Sequence, residues 1–382
     1  MKPHRVGSSL QRSLAPAIQP TSVFNFSDLD ELEQYFTGSS GQYLYARDGH
    51  PNADELAQLL VDSHGAQWGC ITSSGMSAIA ALFLSFLGPT NRLVASNWLY
   101  GKTTALIRDF QNRGTQVDWF YPDQLETLKE ALRTPASLVF VESISNPLVR
   151  IAELDKISEI CVQSGSMLIV DNTFPTAVLL KPLLSGADIV VESLTKLVNG
   201  HSDATLGFIC GKSSTGRSVI PFISLYGMNS SPFDCWLTTR GFETLRLRVQ
   251  ASHDNSTKLA ALLSKSNRVV KVHHPSLAHH PEYDAARRLM PQGTCNIVSF
   301  EVNGGREGVQ SFIKNCPDFT LSPSLGHTAT TLSYPSGTSH RSWSELERMR
   351  EGITPGLIRV SVGIEPFEQI ANAFQCGLFS LS

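Results

Sequence analysis

Two short polar segments carry the residues best suited to chemistry. The first is Asp171-Asn172-Thr173 and the second is Ser193-Leu194-Thr195-Lys196. Each follows a short apolar run rich in β-branched residues, Met167–Val170 and Asp188–Val191, and such runs predict buried parallel strands. In open α/β sheets, ligands bind at the carboxyl ends of the strands. The sequence therefore predicts a site with a carboxylate, hydroxyls and an amine.

These groups fit the needs of pyridoxal phosphate. A buried carboxylate at Asp171 keeps the pyridine nitrogen protonated, because opposite charges at close range favour the charged form of each partner. Lys196 supplies an amine for a Schiff base, and desolvation beside other cations favours its neutral, nucleophilic form. Ser193 and Thr195 offer hydroxyls to the phosphate. The alternative is that Asp171 and Lys196 are a cap and a solvated charge, but the order of the motifs favours the cofactor.

Both segments also resemble a known family. Asp171–Phe174 and Ser193–Asp203 look like the cofactor motifs of the cystathionine γ-synthase and lyase family of cysteine and methionine metabolism, a branch of the fold-type I pyridoxal phosphate enzymes. The resemblance implies an α/β, aspartate aminotransferase-like fold with a large, mostly parallel sheet domain and a small C-terminal α/β domain. We divide the chain into an N-terminal arm (1–55), a large cofactor-binding domain (56–252) and a small domain (253–382).

The loop from Tyr43 to Asn52 contains Gly and Pro, and its composition alone predicts a surface loop. It resembles the family's Tyr-x-Arg loop, which implies that Tyr45 and Arg47 reach the phosphate of a neighbouring subunit's cofactor. His50 and Asn52 stand where the family pattern has Asn and Thr. The resemblance therefore implies a homodimer or homotetramer with shared active sites.

Two further segments supply cofactor ligands. Gly75 and Met76 open a predicted helix, whose unpaired N-terminal amides and positive dipole suit the phosphate. Tyr100 follows a short predicted strand, and the resemblance assigns it to stacking over the pyridine ring and, with Asp171 and Lys196, to the catalytic group. Lys102 stands where methionine γ-lyases of the family have Cys, which argues against a typical methionine γ-lyase.

Three residues are candidates for holding the substrate. Asn146 matches the Asn of a Glu-Ser-x-Ser-Asn-Pro family motif, which implies contacts with the cofactor's phenolic oxygen and the substrate carboxylate. Ser324 lies in a Ser-Leu-Gly segment that is implied to position Lys196 and the substrate. Arg359 lies in an apolar predicted strand, where a charge is rarely kept without a partner, and a guanidinium binds a carboxylate through two hydrogen bonds. The alternative for Arg359 is a structural ion pair.

Composition excludes several classes of function. Lys and Arg total 31 against 34 Asp and Glu, so no broad positive field favours nucleic acid or a membrane surface. No apolar run reaches membrane-spanning length. The seven cysteines are scattered without a Cys-x-x-Cys pair, which is typical of reduced thiols and predicts a cytoplasmic protein. His273, His274, His279 and His280 are interrupted by prolines and lack acidic or thiol ligands at metal spacing, so we predict no metal site.

The reaction is predicted from the resemblance. Ser333 aligns with a position where cystathionine γ-lyases often have Glu and some γ-synthases have Ser, which favours γ-replacement on an activated homoserine by a thiol. Ser336–Arg341 departs from the family's Met-Thr-His ending. The alternatives are a carbon–sulfur lyase acting on cystathionine or another thioether amino acid, and a non-catalytic cofactor-binding protein on the same fold. In each enzymatic case the substrate is a small amino acid.

Overall fold

A computed structural model describes residues 14–38, 41–316, 318–341 and 343–381, and these residues build two β-sheets. The larger sheet has seven strands in the order β1-β7-β6-β5-β4-β2-β3. Its strands are β1 (Trp68–Thr72), β2 (Arg92–Ser96), β3 (Gln116–Phe120), β4 (Leu138–Glu142), β5 (Met167–Asp171), β6 (Ile189–Ser193) and β7 (Gly207–Gly211). Five neighbours from β3 to β6 run parallel, whereas β7 pairs antiparallel with both β1 and β6.

The two strands expected to carry the cofactor site are confirmed as parallel neighbours. β5 and β6 pair directly, and β5 ends at Asp171 while β6 ends at Ser193. Along β5, Leu168 and Val170 join one hydrophobic cluster and Ile169 joins the cluster on the opposite face. Because successive side chains in a strand point to opposite faces, the sheet is covered on both sides.

The first part of the chain contributes nine described helices, several of which pack against this sheet, whereas the first of them buries no residue. They are α1 (Leu29–Phe36), α2 (Pro51–His64), α3 (Gly75–Phe86), α4 (Gly101–Asn112), α5 (Leu125–Ala131), α6 (Leu154–Ser164), α7 (Thr176–Leu179), α8 (Ile220–Leu225) and α9 (Pro232–Phe242), with short 3₁₀ helices at Pro182–Ser185 and Ser214–Val219. Each βα connection places a helix N-terminus at the edge where β2, β4, β5 and β6 end. That edge holds the candidate site.

The smaller sheet has five strands in the order β10-β11-β12-β9-β8. They are β8 (Val269–His273), β9 (Ile297–Val302), β10 (Thr320–Leu321), β11 (Thr331–Ser333) and β12 (Leu357–Ser361). The surrounding helices are α11 (Tyr283–Leu289), α12 (Gly305–Lys314), α13 (Glu345–Arg350) and α14 (Phe367–Phe379), with a 3₁₀ helix at Pro335–Gly337. Phe300, Phe312 and Phe374 pack ring against ring in a separate core.

One long helix, α10 (Leu245–Leu263), joins the two sheets. Near its start Arg248 binds the chain that follows Lys196. Farther along, Asn255 donates hydrogen bonds to the carbonyls of Gly363 at 3.1 Å and Glu365 at 2.9 Å, just after β12. The proposed domain boundary at 252/253 falls inside α10, and the boundary at 55/56 falls inside α2. The three-part division therefore stays a proposal.

The described part of the N-terminal arm lies on its own α2 and α9. Asn52 Nδ2 donates to Ala17 O at 2.8 Å, and Asn52 Oδ1 accepts from Gln19 N at 2.9 Å. Trp236 Nε1 donates to Pro16 O at 2.9 Å. Asn52 therefore anchors the arm to α2. Of the helices in the described ranges, none combines the length and hydrophobicity needed to cross a membrane.

Candidate active site

Thr173 links Asp171, the carboxylate expected at the pyridine nitrogen, to Ser193, which ends β6 and is expected at the phosphate. Asp171 Oδ1 accepts from Thr173 Oγ1 at 2.6 Å and from Thr173 N at 3.0 Å. Thr173 Oγ1 in turn accepts from Ser193 N at 2.9 Å. Burial raises the pKa of Asp171 to about 6, while the two Thr173 hydrogen bonds oppose that rise. The second oxygen, Oδ2, accepts no hydrogen bond from the described residues, so it is available to a protonated ring nitrogen.

The lysine amine lies against Ser324. Lys196 Nζ donates to Ser324 Oγ at 3.2 Å. Burial lowers the pKa of Lys196, and the nearby positive charge of Arg359 lowers it further. Both causes disfavour the ammonium form. The site therefore makes it easier for the amine to lose its proton, and the neutral amine is the form that attacks a carbonyl and accepts a proton.

Arg359 lies in β12 and is buried, with one nitrogen left without an acceptor. Its Nη1 donates to Asn146 Oδ1 at 3.0 Å and its Nη2 donates to Ser324 O at 2.8 Å. Within the described ranges, Nε has no hydrogen-bond acceptor and the guanidinium makes no ion pair with a carboxylate. Burial lowers its pKa to about 10. The structural ion pair considered as an alternative is thus not found, and an external anion would satisfy the buried donor.

A second buried arginine, Arg248, provides a contrast, and sequence reasoning missed its role. Its guanidinium donates to the carbonyls of Leu197 at 2.6 Å, Val198 at 3.0 Å and Gly241 at 2.7 Å. Nε donates to Thr244 Oγ1 at 3.1 Å. Arg248 therefore fixes the turn after Lys196, and each of its three guanidinium nitrogens donates to an acceptor within the described ranges.

The start of α3 offers two backbone donors beside β6. Ser74 caps the helix by accepting from Ser77 N at 3.0 Å. The N–H groups of Gly75 and Met76 have no acceptor among the described residues. A Cβ atom at Gly75 would lie 2.8 Å from the Ser193 Cβ, which is too close, so only glycine allows this approach. The free amides and the dipole fit a phosphate at the end of β6.

Tyr100 is held by a carboxyl group, Glu142, to which the sequence alone assigned no role. Tyr100 N, at the start of α4, donates to Glu142 Oε1 at 2.5 Å, and the tyrosine is 39% exposed. Glu142 ends β4 and is the register partner of Asp171 in β5. Burial, and then the charge of Asp171, raise the pKa of Glu142 well above its usual range. The sequence did show Glu142 as the first residue of the Glu-Ser-x-Ser-Asn-Pro motif. Its contact with Tyr100 N is visible only in the folded chain.

Three predicted phosphate ligands are Thr195, Tyr45 and Arg47, and their contacts with the phosphate stay predictions. Thr195 Oγ1 already donates to Leu206 O at 3.2 Å and accepts from Leu206 N at 3.1 Å. Tyr45 and Arg47 lie together on the surface, with the guanidinium carbon 5.1 Å from the ring centroid. Tyr45 is 40% exposed and the Arg47 side chain is 52% exposed. Both are accessible to a second copy of the chain.

The histidine cluster is used in separate hydrogen bonds. His273 Nε2 lies 3.1 Å from Glu301 Oε1, and His274 Nδ1 lies 2.7 Å from Ser276 Oγ. His280 Nδ1 accepts from Glu282 N at 3.3 Å. Burial lowers the pKa of His274 to about 3 and that of His280 to about 4. Among the residues described, no group of three or more His, Cys, Asp or Glu side chains is arranged to hold a metal ion.

Comparison with known proteins identifies the class to which this fold and site belong. Residues 4–379 match the model of the Cys/Met metabolism PLP-dependent enzyme family, and the chain belongs to that family. It is therefore a pyridoxal phosphate-dependent enzyme, a transferase or carbon–sulfur lyase, of the fold-type I architecture. Lys196, Asp171 and the open start of α3 fit the aldehyde, ring nitrogen and phosphate of that cofactor.

Its relatives differ in activity. The chain is 34% identical to an O-succinylhomoserine sulfhydrylase of Pseudomonas aeruginosa, covering 96% of this chain and 91% of the relative. It is 33% identical to an L-methionine gamma-lyase of Porphyromonas gingivalis, covering 96% and 93%. A crystal structure of cystathionine gamma synthase from Xanthomonas oryzae pv. oryzae, in complex with aminoacrylate and cysteine, superposes with a TM-score of 0.91 at 33% identity, covering 96% and 93%. These proteins belong to one family, but the reactions that they are named for differ from one another.

Proposed function

We propose that this enzyme catalyses γ-replacement, in which a thiol takes the place of the acyl group of an activated homoserine, as in a cystathionine γ-synthase. The observation that carries this proposal is Ser333. It is buried in β11, directly opposite Arg359 in β12. A small neutral side chain beside Arg359 adds no negative charge that could bind the second ammonium group of cystathionine. That environment favours an acylated homoserine, which has its α-ammonium alone, over cystathionine as the starting substrate.

The substrate would be held by Arg359 and Asn146. The free Nε of Arg359 and its neighbouring Nη nitrogen can donate to the α-carboxylate, and Asn146 fixes the guanidinium through the 3.0 Å hydrogen bond. Ser324 binds both Arg359 and Lys196, so the carboxylate clamp and the amine share one support. This arrangement places Cα of a bound amino acid near the Lys196 amine.

The chain's own groups then move protons while one bond replaces another. Bound pyridoxal phosphate supplies an electron sink for the negative charge that develops on the substrate carbons. Lys196 takes the proton from Cα and then moves a proton at Cβ, while Asp171 holds the proton on the pyridine nitrogen. The Cγ–O bond breaks and the acyl group leaves as a carboxylate. The Cγ–S bond forms as the thiol gives up its proton.

The complete site is proposed to need a second copy of the chain. Tyr45 and Arg47 are exposed and are proposed to contact the cofactor phosphate of a neighbouring subunit, which requires a homodimer or homotetramer. Ser193, Thr195, Gly75 and Met76 would contact the phosphate from within the subunit.

A second candidate is carbon–sulfur elimination. The similarity to an L-methionine gamma-lyase favours it, since Lys196, Asp171 and Arg359 serve elimination equally well. Against it, Lys102 at the start of α4 occupies the position of the methionine γ-lyase Cys. The two reactions diverge only after the γ-substituent has left.

Product analysis separates the two candidates. O-Succinylhomoserine and O-acetylhomoserine are supplied with and without cysteine, and cystathionine and methionine are supplied alone, while cystathionine and 2-oxobutyrate are measured. Cystathionine formation that depends on cysteine supports replacement, and faster 2-oxobutyrate formation from cystathionine or methionine overturns it. Ser333→Glu should move the product ratio toward elimination of cystathionine, and Ser333→Ala is the matched control. Lys196→Ala should abolish turnover of every substrate.

A further inference from the structure

His50 is buried at the start of α2 with both ring nitrogens in use. Nδ1 accepts from Ala53 N at 3.1 Å, so His50 is the N-cap of the helix. Nε2 lies 3.2 Å from Ser230 O and 3.1 Å from Ser230 Oγ, ahead of α9. Because an N–H group can only donate, Nδ1 must carry a lone pair and Nε2 must carry the proton. The ring is therefore held in one neutral tautomer.

This cap closes the loop that presents Tyr45 and Arg47. Within the loop, Asp48 N donates to Tyr45 O at 2.9 Å, and the Asp48 carboxylate accepts from the Ser224 hydroxyl. His50 follows Gly49 directly and ties the end of the loop to Ser230. The loop is thus tied to the arm at Ala46, whose N donates to Ser22 O at 2.9 Å, to Ser224 through Asp48 and to Ser230 through His50. Of these contacts, the one made by His50 depends on which ring nitrogen carries the proton.

We propose that His50 is a positioning residue that holds Tyr45 and Arg47 in place for the cofactor phosphate of the neighbouring subunit only while its ring is neutral, so that retention of pyridoxal phosphate weakens when the ring takes up a proton. This inference rests on the phosphate role proposed above for the two side chains. It goes beyond that role, because it makes cofactor retention depend on a histidine outside the cofactor site.

Protonation removes the cap for a geometric reason. A proton on Nδ1 turns the acceptor of Ala53 N–H into a donor that faces another donor, and it places a charge in a buried position. Burial is the main cause that lowers the pKa of His50, against the opposing effects of the Ser230 carbonyl and Asp54. Asp54 in α2 is the charged neighbour that acts on the ring. α9, which packs on α2, contributes the thiol of Cys235, which hydrogen-bonds with Ser230 and is affected by the charges of Asp54 and Asp234.

The sign of the pH effect follows from that lowered pKa. Above the ordinary histidine pKa of 6.5, the ring is neutral whether or not the loop is seated, and the tether contributes fully. As the pH falls below 6.5, a released ring takes up a proton before a seated one does. Acid therefore releases the loop progressively.

The test compares three variants of the holoenzyme. His50→Asn keeps a side-chain acceptor for Ala53 N–H, because Asn is a favoured N-cap residue. Its amide does not titrate in this pH range. His50→Ala has no acceptor. Arg47→Ala removes the phosphate contact itself. The dissociation constant of pyridoxal phosphate is measured by equilibrium dialysis from about pH 8 to about pH 5.5, a range that brackets the ordinary histidine pKa.

We expect the wild-type dissociation constant to rise about tenfold more over this range than that of His50→Asn. This is the change that uptake of one proton produces over about one pH unit below the ordinary histidine pKa. His50→Ala should bind several-fold more weakly at every pH. Hydrogen exchange of residues 45–53 should increase in acid for the wild type and not for His50→Asn. Equal pH slopes for the wild type and His50→Asn overturn the inference. If Arg47→Ala binds the cofactor normally, the proposed phosphate role fails instead.

Discussion

Glu142 Oε1 accepts a hydrogen bond of 2.5 Å from the backbone N–H of Tyr100. A buried carboxyl group thus fixes the backbone of Tyr100, the proposed stacking residue, at the start of α4. The same Glu142 lies beside Asp171 across β4 and β5. Two neighbouring acids thus have different tasks. Asp171 is proposed to hold the ring nitrogen in its ionised form, whereas burial and the charge of Asp171 raise the pKa of Glu142 and so favour its protonated form.

The first prediction concerns Glu142. Glu142→Gln should retain kcat within about threefold, because the amide oxygen still accepts from Tyr100 N and the amide is neutral, as is the form of Glu142 that burial favours. Glu142→Ala should lower kcat about tenfold or more, since a buried N–H without an acceptor costs about 1–3 kcal/mol. Steady-state kinetics at neutral pH distinguish the variants. Similar losses in both would mean that Glu142 acts as a carboxylate.

The second prediction concerns the hydroxyl of Thr173. Thr173→Val removes the 2.6 Å hydrogen bond that opposes the rise in the pKa of Asp171, so that pKa should move upward from about 6. The acidic limb of pyridoxal phosphate binding should then shift up by about one pH unit, since a hydrogen bond to a charged group contributes about 1.5 kcal/mol. Thr173→Ser is the control and should keep the wild-type profile. Identical profiles for Val and Ser would contradict this prediction.

The third prediction separates the charge of Arg359 from its geometry. Arg359→Lys and Arg359→Gln should both raise KM for the amino acid about tenfold or more, because neither provides the two parallel donors. Only Arg359→Gln removes the charge that helps to lower the pKa of Lys196, so the amine should lose its proton at a higher pH in that variant. Acylation of Lys196 in the cofactor-free protein, followed by mass spectrometry against pH, measures this difference. An unchanged Lys196 profile in Arg359→Gln would exclude the electrostatic effect.

The fourth prediction contrasts the two buried arginines. Arg248→Met should lower the free energy of unfolding by about 3 kcal/mol or more, because it leaves buried carbonyls of Leu197, Val198 and Gly241 without their donor. Arg359→Met should cost less in the cofactor-free protein, because Arg359 donates to two acceptors where Arg248 donates to four, and its own Nε lacks an acceptor among the described residues. Urea unfolding at one protein concentration compares them. The reverse order would remove the distinction between a structural and a ligand-binding arginine.

Local sequence was sufficient for the residues that end β5 and β6. Asp171, Ser193 and Lys196 follow continuous apolar runs, and the ends of parallel strands meet at one edge of a sheet. Arg359 was also recognisable, because a charge within an apolar strand is unusual wherever the strand lies. These predictions needed only periodicity and chemical type. The large and small α/β arrangement came from the family resemblance, not from periodicity.

The supporting contacts were not predictable because they join distant parts of the chain. Glu142 binds the backbone of Tyr100, and Arg248 binds carbonyls about fifty residues earlier, and backbone groups leave no trace in a sequence. His50 stands where the family pattern has Asn, and it caps α2, since a ring nitrogen, like an amide oxygen, can accept from a helix N-terminus. Its second contact, with Ser230, depends entirely on the fold.

α10 has a consequence for how proteins of this kind can be recombined. Arg248 and Asn255 lie in one helix and hold the turn after Lys196 and the segment after β12, respectively. One inserted residue between them would rotate the later part of the helix by about 100° and advance it by about 1.5 Å. A chimera of two relatives joined at residue 252 would mix the two halves of this single connector. Exchange of parts between such enzymes should therefore transfer α10 whole, with junctions placed outside Leu245–Leu263.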